Sequence, residues 1–363
     1  LPMLTKRDLR ERGDELLAEG TDRSTWQKNA TGGSTGQPAV FHQDRGYRSL
    51  ARALEAYTRL WWGVAPYDRT ALVWGADREF RDLSWKERLH RWRHRTRWLN
   101  AFRMSDAELA DFCRMLARWR PPLLMGYATA LETLARAARN CGVEGLRFRA
   151  IRSSAETLRP EQRRLIEETF SSPVYNCYGS REVNHLAAEC PEGRRMHLVS
   201  SWRHVEIVDE AGRPAPPGAP GLVVVTELAN RAMPLIRYCN DDVAAIAAEP
   251  CPCGRPTPVL QSLLGRTSDL IRTPAGERIH GEFFTHLFYG CEAIRQFQVH
   301  QTALDRLVVR YVPGGAGHAE WVSRAVDQMR GRVGPDVRID IEPCEAIPTP
   351  PSGKRRFTLS DVA

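Results

Sequence analysis

The stretch Pro173-Val-Tyr-Asn-Cys-Tyr-Gly-Ser-Arg-Glu182 decides the fold class of this chain. Its apolar first half runs into Tyr178-Gly179, which predicts a buried strand that ends in a turn. Residues 160–170 have a helical pattern that begins at a proline, and residues 148–151 form an earlier strand-like segment. A strand, a helix and a strand in this order predict an α/β core.

The segments before and after this core differ in character. Residues 107–119 and 128–138 carry apolar side chains at helical spacing, which predicts two helices before the core. Residues 205–209 and 222–226 are strand-like and are joined by a connection rich in proline and glycine. This second region therefore predicts a β-rich subdomain.

The pattern changes again after Gly265, where a small α+β domain is predicted. The expected elements are a helix at 319–333 and strands at 296–300, 306–311 and 337–341. The chain has 363 residues, which exceeds the usual size of one hydrophobic core. We therefore predict a large multi-subdomain α/β domain over residues 1–266 and a small, mobile α+β domain over residues 267–363.

Composition favours a water-soluble enzyme. Hydrophobic residues make up 42% and charged residues 26% of the chain, and no run of about 18 apolar residues occurs. The first residues show no secretory pattern, so a cytoplasmic protein that does not enter the membrane is expected. Nine cysteines dispersed over a chain of this length argue against a disulfide framework.

The net charge is +8, and basic residues are densest in the segment 86–98. A basic and aromatic segment can bind nucleic acid, an acidic carrier protein or the phosphates of a coenzyme. The alternative is a solvated face with Trp92 and Trp98 packed inward, and this plain reading carries more weight.

Short motifs suggest a nucleotide site. In Thr31-Gly-Gly-Ser-Thr-Gly36, the glycines Gly32, Gly33 and Gly36 let backbone N–H groups approach a phosphate, and the hydroxyls of Thr31, Ser34 and Thr35 add donors. No lysine follows Gly36, so the segment differs from a P-loop. A loop without any ligand is the open alternative.

Four further residues have the chemistry that ATP binding requires. The ring of Tyr178 can pack on adenine, and the carboxylate of Glu182 can hold Mg²⁺. Asp242 follows a strand and can accept hydrogen bonds from ribose hydroxyls. Lys354, on a Ser-Gly turn near the end of the sequence, can offset charge on a phosphate. His185 could line a substrate pocket or be a core histidine.

Together, and in this order, these segments resemble the adenylate-forming superfamily. The nearer resemblance is to the phenylacetate–CoA ligase family and its capsular-polysaccharide-associated relatives. It extends over nearly the whole chain, and the segments Gly126-Tyr127, Ala232-Met-Pro-Leu-Ile-Arg-Tyr238 and Cys251-Pro-Cys-Gly-Arg255 also carry it. Arg181, where many members of the superfamily have threonine, is a departure that removes no reacting group.

The resemblance implies a role for each motif. Residues 31–36 would hold the β- and γ-phosphates, while Ser154, Ala155 and Glu156, with Tyr178, Gly179 and Ser180, would surround the adenine. Glu182 would bind Mg²⁺, Asp242 the ribose, and Arg266 the ribose or a phosphate. Lys354 would bridge the carboxylate and the α-phosphate, and Ser268-Asp269 would be the hinge of the small domain.

A structural zinc site is also predicted. Cys190 and His197 are separated by six residues, and Cys251 and Cys253 follow about fifty residues later. Three thiolates and one imidazole complete a tetrahedral Zn²⁺ site and leave no position open for water. The alternative is that these four residues are unrelated.

The expected function is activation of a small carboxylic acid, favoured by resemblance to be an aryl acid, with ATP and Mg²⁺. Coenzyme A is the expected acceptor of the acyl group, with a carrier-protein phosphopantetheine or an amine as alternatives. A zinc-ribbon protein that binds nucleic acid is a remote alternative, because it leaves Glu182, Asp242 and Lys354 without a role. A homodimer is possible.

Overall fold

The computed structural model describes residues 1–31, 39–74, 95–101, 105–199, 201–209, 211–266, 270–288, 291, 293–348 and 357–362. The helices within these ranges are α1 (Lys6–Glu11), α2 (Arg45–Trp61), α3 (Asp106–Trp119), α4 (Ala128–Asn140), α5 (Pro160–Phe170), α6 (Gly281–Phe288) and α7 (His318–Val333).

The strands are numbered in chain order. Those of the first half are β1 (Gln27–Ala30), β2 (Val40–Gln43), β3 (Thr70–Val73), β4 (Thr96–Leu99), β5 (Leu123–Gly126), β6 (Ala150–Ser154), β7 (Val174–Ser180), β8 (Asn184–Glu189) and β9 (Met196–Leu198). Those of the second half are β10 (Arg203–Val208), β11 (Gly221–Glu227), β12 (Tyr238–Ile246), β13 (Val259–Arg266), β14 (Leu270–Arg272), β15 (Arg278–His280), β16 (Ile294–Ala303), β17 (Arg306–Pro313), β18 (Arg338–Pro343) and β19 (Thr358–Ser360).

One large sheet organises the first part of the chain. Its strand order is β10-β11-β12-β13-β9-β8-β7-β6-β5-β3-β4. Strands β4, β3, β5, β6 and β7 run parallel, whereas β8 is antiparallel to β7 and β9 is antiparallel to β8. The parallel strands end at one common edge, and open α/β sheets bind ligands outside the carboxyl ends of such strands.

Hydrophobic packing covers both faces of the parallel strands. Helices α3, α4 and α5 bury residues such as Phe112, Leu131 and Ile166 against one face. On the opposite face Trp62 stacks on Tyr175, with ring centroids 5.0 Å apart. A parallel sheet needs cover on both faces, so this packing agrees with the predicted α/β core.

Local signals fix the helix boundaries. Ser105 caps α3 in a capping box with Glu108, and Arg120 ends the helix in a left-handed conformation just before two prolines. Helix α5 begins at Pro160, where the missing N–H has no partner to lose. These helices confirm the ranges predicted from periodicity.

A fully buried ion pair lies between strands β10 and β11. Arg203 Nε donates to Glu227 Oε2 over 2.7 Å, and neither side chain has any exposed area. Arg203 also donates to the carbonyl of His185 and to the hydroxyl of Tyr47. Burial raises the pKa of Tyr47 to about 12, so its hydroxyl stays neutral.

The chain divides into two compact units. The first contains Leu1–Asn240 and Ala244–Ser262, and the second contains Asp241–Val243 and Leu263–Ala363. The second unit has a four-stranded sheet of order β18-β17-β16-β19, with α6 and α7 contributing to its core.

The predicted fold class is confirmed as α/β with a separate small C-terminal sheet. A boundary at residue 266 and mobility of the small domain stay predictions. Among the described residues, no helix combines the length and apolar character needed to cross a membrane.

Candidate functional site

A β-hairpin presents the glycine-rich segment. Strands β1 and β2 pair from Gln27 to Ala30, and two hydrogen bonds continue the pairing at the neck of the loop. The Thr31 N–H donates to the Ala39 carbonyl over 2.9 Å, and the Ala39 N–H donates to Thr31 Oγ1 over 3.0 Å. Thr31 is therefore buried as the neck residue, while Gly32, Gly33, Ser34, Thr35 and Gly36 lie outside the described residues.

Both ends of this hairpin are hydrogen-bonded to the turn that carries Glu182. Gln43 Nε2 donates to the carbonyls of Arg181 and Glu182 over 3.2 and 3.3 Å. In return, Arg181 Nη1 donates to the Ala30 carbonyl over 3.4 Å. The predicted phosphate loop therefore starts beside the predicted Mg²⁺ ligand, although the two are about 150 residues apart in sequence.

The Tyr178-Gly179 pair shapes the turn before Glu182. The pairing of β7 with β8 shifts register between these two residues. A Cβ atom on Gly179 would lie 2.1 Å from the carbonyl oxygen of Asn184, so only glycine fits. Ser180 accepts a long hydrogen bond of 3.4 Å from the Val183 N–H inside the turn. Glu182, within this turn, is 4% exposed.

Alternate residues of β12 position the two predicted ATP contacts. The Tyr238 hydroxyl donates to Glu182 Oε1 over 2.9 Å. Asn240 Nδ2 donates to the Tyr178 hydroxyl over 2.7 Å. Sequence reasoning gave neither residue a role. The sequence contains a signal for such a role, because side chains alternate along a strand and residues 238 and 240 therefore share one face with Asp242, the predicted ribose ligand.

The segment after β6 lies next to Tyr178. In the parallel register Ser154, the last residue of β6, pairs with Cys177, the residue before Tyr178. Ala155 has a φ of 68°, which a residue with a side chain seldom adopts. Glu156 Oε2 accepts hydrogen bonds from the Thr129 N–H and hydroxyl over 2.9 and 2.8 Å. The Glu156 carboxylate thus caps helix α4, which leaves the backbone of this segment for a nucleotide.

Asp242 and Arg266 are brought together in the second unit. Their closest charged atoms, Asp242 Oδ1 and Arg266 Nε, lie 3.6 Å apart, and both side chains are partly exposed. Two residues predicted to contact the ribose are therefore neighbours. Ser268, Asp269 and Lys354 lie outside the described residues, so their roles stay predictions.

Backbone strain occurs at these segments as well as elsewhere. Of the eight described residues other than glycine that have positive φ angles, four are Ala155, Asn184, Arg237 and Asp241. Each such residue costs on the order of 1 to 3 kcal/mol, and such strain often accompanies binding sites. All four lie in or next to the motifs predicted to bind ATP.

A separate cluster brings the four predicted metal ligands together. The ligand atoms of Cys190, His197, Cys251 and Cys253 all lie within 4.8 Å of one another. Cys190 Sγ and Cys251 Sγ are 3.6 Å apart, and Cys253 Sγ lies 3.3 Å from His197 Nε2. Four atoms about 2.0 to 2.3 Å from a central Zn²⁺ in a tetrahedron have separations of this size.

The surroundings of the cluster also fit a metal. A Cβ atom on Gly193 would lie 2.5 Å from Cys251 Sγ, so the turn must be glycine for the sulfurs to converge. His197 Nδ1 contacts Thr257 Oγ1 at 3.0 Å, which orients the ring as a second hydrogen bond does in metal sites. Burial lowers the pKa of His197, which keeps the imidazole in its neutral, metal-binding form.

We expect purified protein to contain about one equivalent of zinc, and Cys253→Ser to hold about a tenth of that or less because a ligand is lost. Metal analysis by mass spectrometry measures both values. Cys141→Ser changes an exposed cysteine outside the cluster and should leave the zinc content unchanged. Wild-type protein prepared without chelators and lacking zinc would contradict the prediction.

Sequence reasoning named His185 but missed the group to which it belongs, which we call the polar cluster: Glu55, Arg59, Arg152 and His185. Glu55 Oε1 accepts from Arg59 Nη2 over 2.7 Å and from Arg152 Nη1 over 2.8 Å. Arg152 Nη2 lies 3.4 Å from His185 Nδ1. Burial, together with the positive charge of Arg152, lowers the pKa of His185 to about 3.

Because His185 is neutral in the folded protein, we expect the free energy of unfolding to decrease in acid. Its folded pKa of about 3 lies below the ordinary value of about 6.5, so the unfolded chain binds more protons between these values. Stability is therefore complete above pH 6.5 and falls as the pH decreases, by at most about 1.4 kcal/mol per pH unit.

Urea unfolding at several pH values tests this expectation. His185→Gln should flatten the stability curve between about pH 6.5 and pH 5, above the range in which carboxylates titrate. His204→Gln, at an exposed position, should leave the curve unchanged. Equal slopes for wild-type and His185→Gln protein would contradict the expectation.

Known proteins resemble this chain in sequence. A family model described as the CapK C-terminal domain matches residues 271–361. Protein CapK of Staphylococcus aureus is 25% identical over 377 aligned positions, which cover 100% of this chain and 80% of that protein. Phenylacetate-coenzyme A ligase of Thermus thermophilus is 31% identical over 163 positions, or 43% of this chain and 37% of the ligase.

Solved structures share the fold. A 2-hydroxyisobutyryl-CoA ligase in its postadenylation state matches with a TM-score of 0.71 at 22% identity, over 100% of this chain and 80% of that one. The o-succinylbenzoate CoA synthetase of Bacillus subtilis, bound to its acyl-adenylate, matches with a TM-score of 0.67 at 16% identity, over 94% of this chain and 69% of that one. The likeness confirms the predicted fold of a large domain followed by a small one.

Proposed function

We propose that this chain belongs to the adenylate-forming superfamily, activates a carboxylic acid with ATP and passes the acyl group to the thiol of coenzyme A. The observation that carries the proposal is the meeting of three elements around Glu182. The β1–β2 hairpin, the bulged end of β7 and the polar face of β12 all contact this turn. Phosphate, adenine and Mg²⁺ are the ligands that these groups suit.

The first step joins the acid to AMP. A carboxylate oxygen of the acid forms a bond to the α-phosphorus, while the bond from that phosphorus to the bridging oxygen breaks and pyrophosphate leaves with the electron pair. Bound Mg²⁺ would offset the charge of the phosphates. Glu182 would hold the ion through its buried carboxylate, whose Oε1 the Tyr238 hydroxyl fixes in place. Lys354 would donate to the carboxylate and the α-phosphate.

The second step transfers the acyl group. The thiolate sulfur forms a bond to the acyl carbonyl carbon, the carbon–oxygen bond to phosphate breaks, and AMP leaves. Asp242 and Arg266, paired at 3.6 Å, would hold the ribose during both steps. A turn of the small domain at Ser268-Asp269 would withdraw Lys354 and admit the thiol.

A basic cleft supports coenzyme A as the acceptor of the acyl group. Arg97, Arg114 and Arg118 line a shallow cleft of about 400 Å³ together with Trp119. Arg97 belongs to the basic segment 86–98, and residues 75–94 lie outside the described residues. Such a surface suits the phosphates of coenzyme A or an acidic carrier protein, which is the alternative thiol donor. We propose a cytoplasmic location because the reaction needs both ATP and coenzyme A.

Acid-dependent exchange of pyrophosphate into ATP tests the proposal. A panel of aryl, fatty and amino acids should reveal one class that supports exchange, and Lys354→Ala should abolish it. Exchange that does not depend on added acid, or none with any acid although ATP binds, would overturn the proposal.

A further inference from the structure

The polar cluster contains hydrogen-bond donors that lack acceptors. Arg152 can only donate, so His185 Nδ1 must accept from its Nη2 and the ring proton must be on Nε2. His185 is 6% exposed, and its Nε2 has no partner within the described part of the chain. The imidazole therefore presents a buried N–H group without an acceptor.

Two guanidinium groups of the cluster also have N–H donors without acceptors. Arg59 Nε and Arg152 Nε are buried and find no acceptor among the described residues. Buried donors are nearly always hydrogen-bonded, and leaving one unpaired costs roughly 1 to 3 kcal/mol. All three atoms are donors, so the missing partners must be oxygen or other acceptor atoms.

The charge of the cluster favours an acceptor with negative charge. Burial opposes ionisation of Glu55, but Arg152 and Arg59 lower its pKa to about 2, so it carries one negative charge. Two arginines against one glutamate leave a net positive charge. Neighbouring groups do not cancel it, since burial raises the pKa of the Cys177 thiol to about 12, and Glu227 and Glu189 are paired with Arg203 and Arg163.

The cluster is accessible and lies beside the proposed site. Glu55 keeps 34% of its side chain exposed, and Arg59 and Arg152 keep 17% and 11%, so solvent reaches part of the cluster. Arg152 precedes Ser154 by two residues on β6 and shares its face, about 7 Å away along the strand. His185 is paired with Gly179 in the sheet register.

We propose that the polar cluster binds a second oxygen group of the acid substrate, most favourably an anionic one such as a carboxylate. The proposal rests on the proposed adenylating function. It names the substrate class as carboxylic acids with a further acceptor group, because a purely hydrocarbon acyl group would leave three donors buried without partners.

Pyrophosphate exchange with matched pairs of acids tests this proposal. Benzoate is compared with its hydroxyl- and carboxyl-substituted forms, and butyrate is compared with succinate. The acid with the second oxygen group should have a kcat/KM at least about tenfold higher, with carboxyl above hydroxyl. Arg152→Met should lose at least about tenfold with that acid and little with its hydrocarbon partner.

Arg149→Met is the matched control, because Arg149 is an exposed arginine just before β6 and should leave the preference unchanged. If Arg152→Met does not fold, Arg59→Met and His185→Phe serve in its place. Thermal shift adds a readout of binding: the preferred acid should raise the melting temperature of wild-type protein and not that of Arg152→Met.

The outcomes separate the two proposals. If hydrocarbon acids support exchange as well as their substituted partners do, or better, the proposed substrate class is wrong and the adenylating function stands. Water would then be the hydrogen-bond acceptor for the three donors. Exchange with no acid would overturn the adenylating function and the substrate class together. A preference for the substituted acids that Arg152→Met retains would also overturn the role of the polar cluster.

Discussion

Glu182→Gln is expected to lower kcat/KM for pyrophosphate exchange by about a thousandfold, the upper range for loss of one electrostatic contact at a reacting phosphate. The amide has nearly the same shape as the carboxylate, and it can still accept from the Tyr238 hydroxyl, which lies 2.9 Å from Glu182 Oε1. The substitution therefore removes the charge needed to hold Mg²⁺ and little else. The apparent KM for Mg²⁺ should rise in parallel.

Tyr238→Phe is the matched control for this prediction. It removes the hydroxyl that orients Glu182 and keeps the carboxylate, so a decrease of about tenfold is expected. Equal melting temperatures would show that both variants fold. Exchange by Glu182→Gln within twofold of wild type, at any Mg²⁺ concentration, would contradict a metal-binding role for Glu182.

The largest expected effect on stability is at the buried ion pair. Arg203→Ala leaves the Glu227 carboxylate buried without its partner, which typically costs about 3 to 5 kcal/mol. For a unit of this size that corresponds to a fall in melting temperature of about 10 °C. Burial raises the pKa of Glu227, and without Arg203 the carboxyl will be protonated more readily.

The double variant Arg203→Met/Glu227→Leu tests whether the loss of stability comes from the unpaired charge of Glu227. Replacing both charges with apolar side chains of similar size removes the unpaired charge, so most of the stability should return. The ion pair between Arg7 and Glu11 is exposed, so Arg7→Ala should change stability by less than about 1 kcal/mol. A double variant as unstable as Arg203→Ala would show that the loss comes from packing or from the bonds to Tyr47 and His185.

Much of the fold can be predicted from local sequence signals. Helices α3 and α5 follow from apolar spacing with a serine cap or a leading proline, and the strand into Tyr178-Gly179 follows from its apolar first half. Helix α2 was not predicted, although Asp44 caps its first turn and its apolar side chains are segregated to one face.

Strand order could not be predicted in the same way. The predicted β-rich subdomain shares one sheet with the parallel core, through β9 and β13. Val259 pairs with His197 there, and no short window of sequence contains both residues. Pairing over such separations depends on which strands pack together in three dimensions.

In the candidate site, too, some features could be predicted from sequence and others could not. The metal ligands were predicted by residue type, and the structure brings their four atoms within 4.8 Å, while the identity of the metal stays a prediction. The residues that hold Glu182 and Tyr178 in place, namely Tyr238 and Asn240, could not be assigned from sequence because their partners lie about 60 positions away. The polar cluster was missed because α2 and its strand partners meet only in the folded chain.

The measurement that tests the central claim most directly follows a heavy-oxygen label. An acid that supports exchange is labelled in both carboxylate oxygens and turned over with ATP and coenzyme A, and the products are analysed by mass spectrometry. If the carboxylate attacks the α-phosphorus, AMP must carry one labelled oxygen and pyrophosphate none. Label in inorganic phosphate, with ADP as the other product, would contradict an acyl-adenylate and place the attack at the γ-phosphate instead.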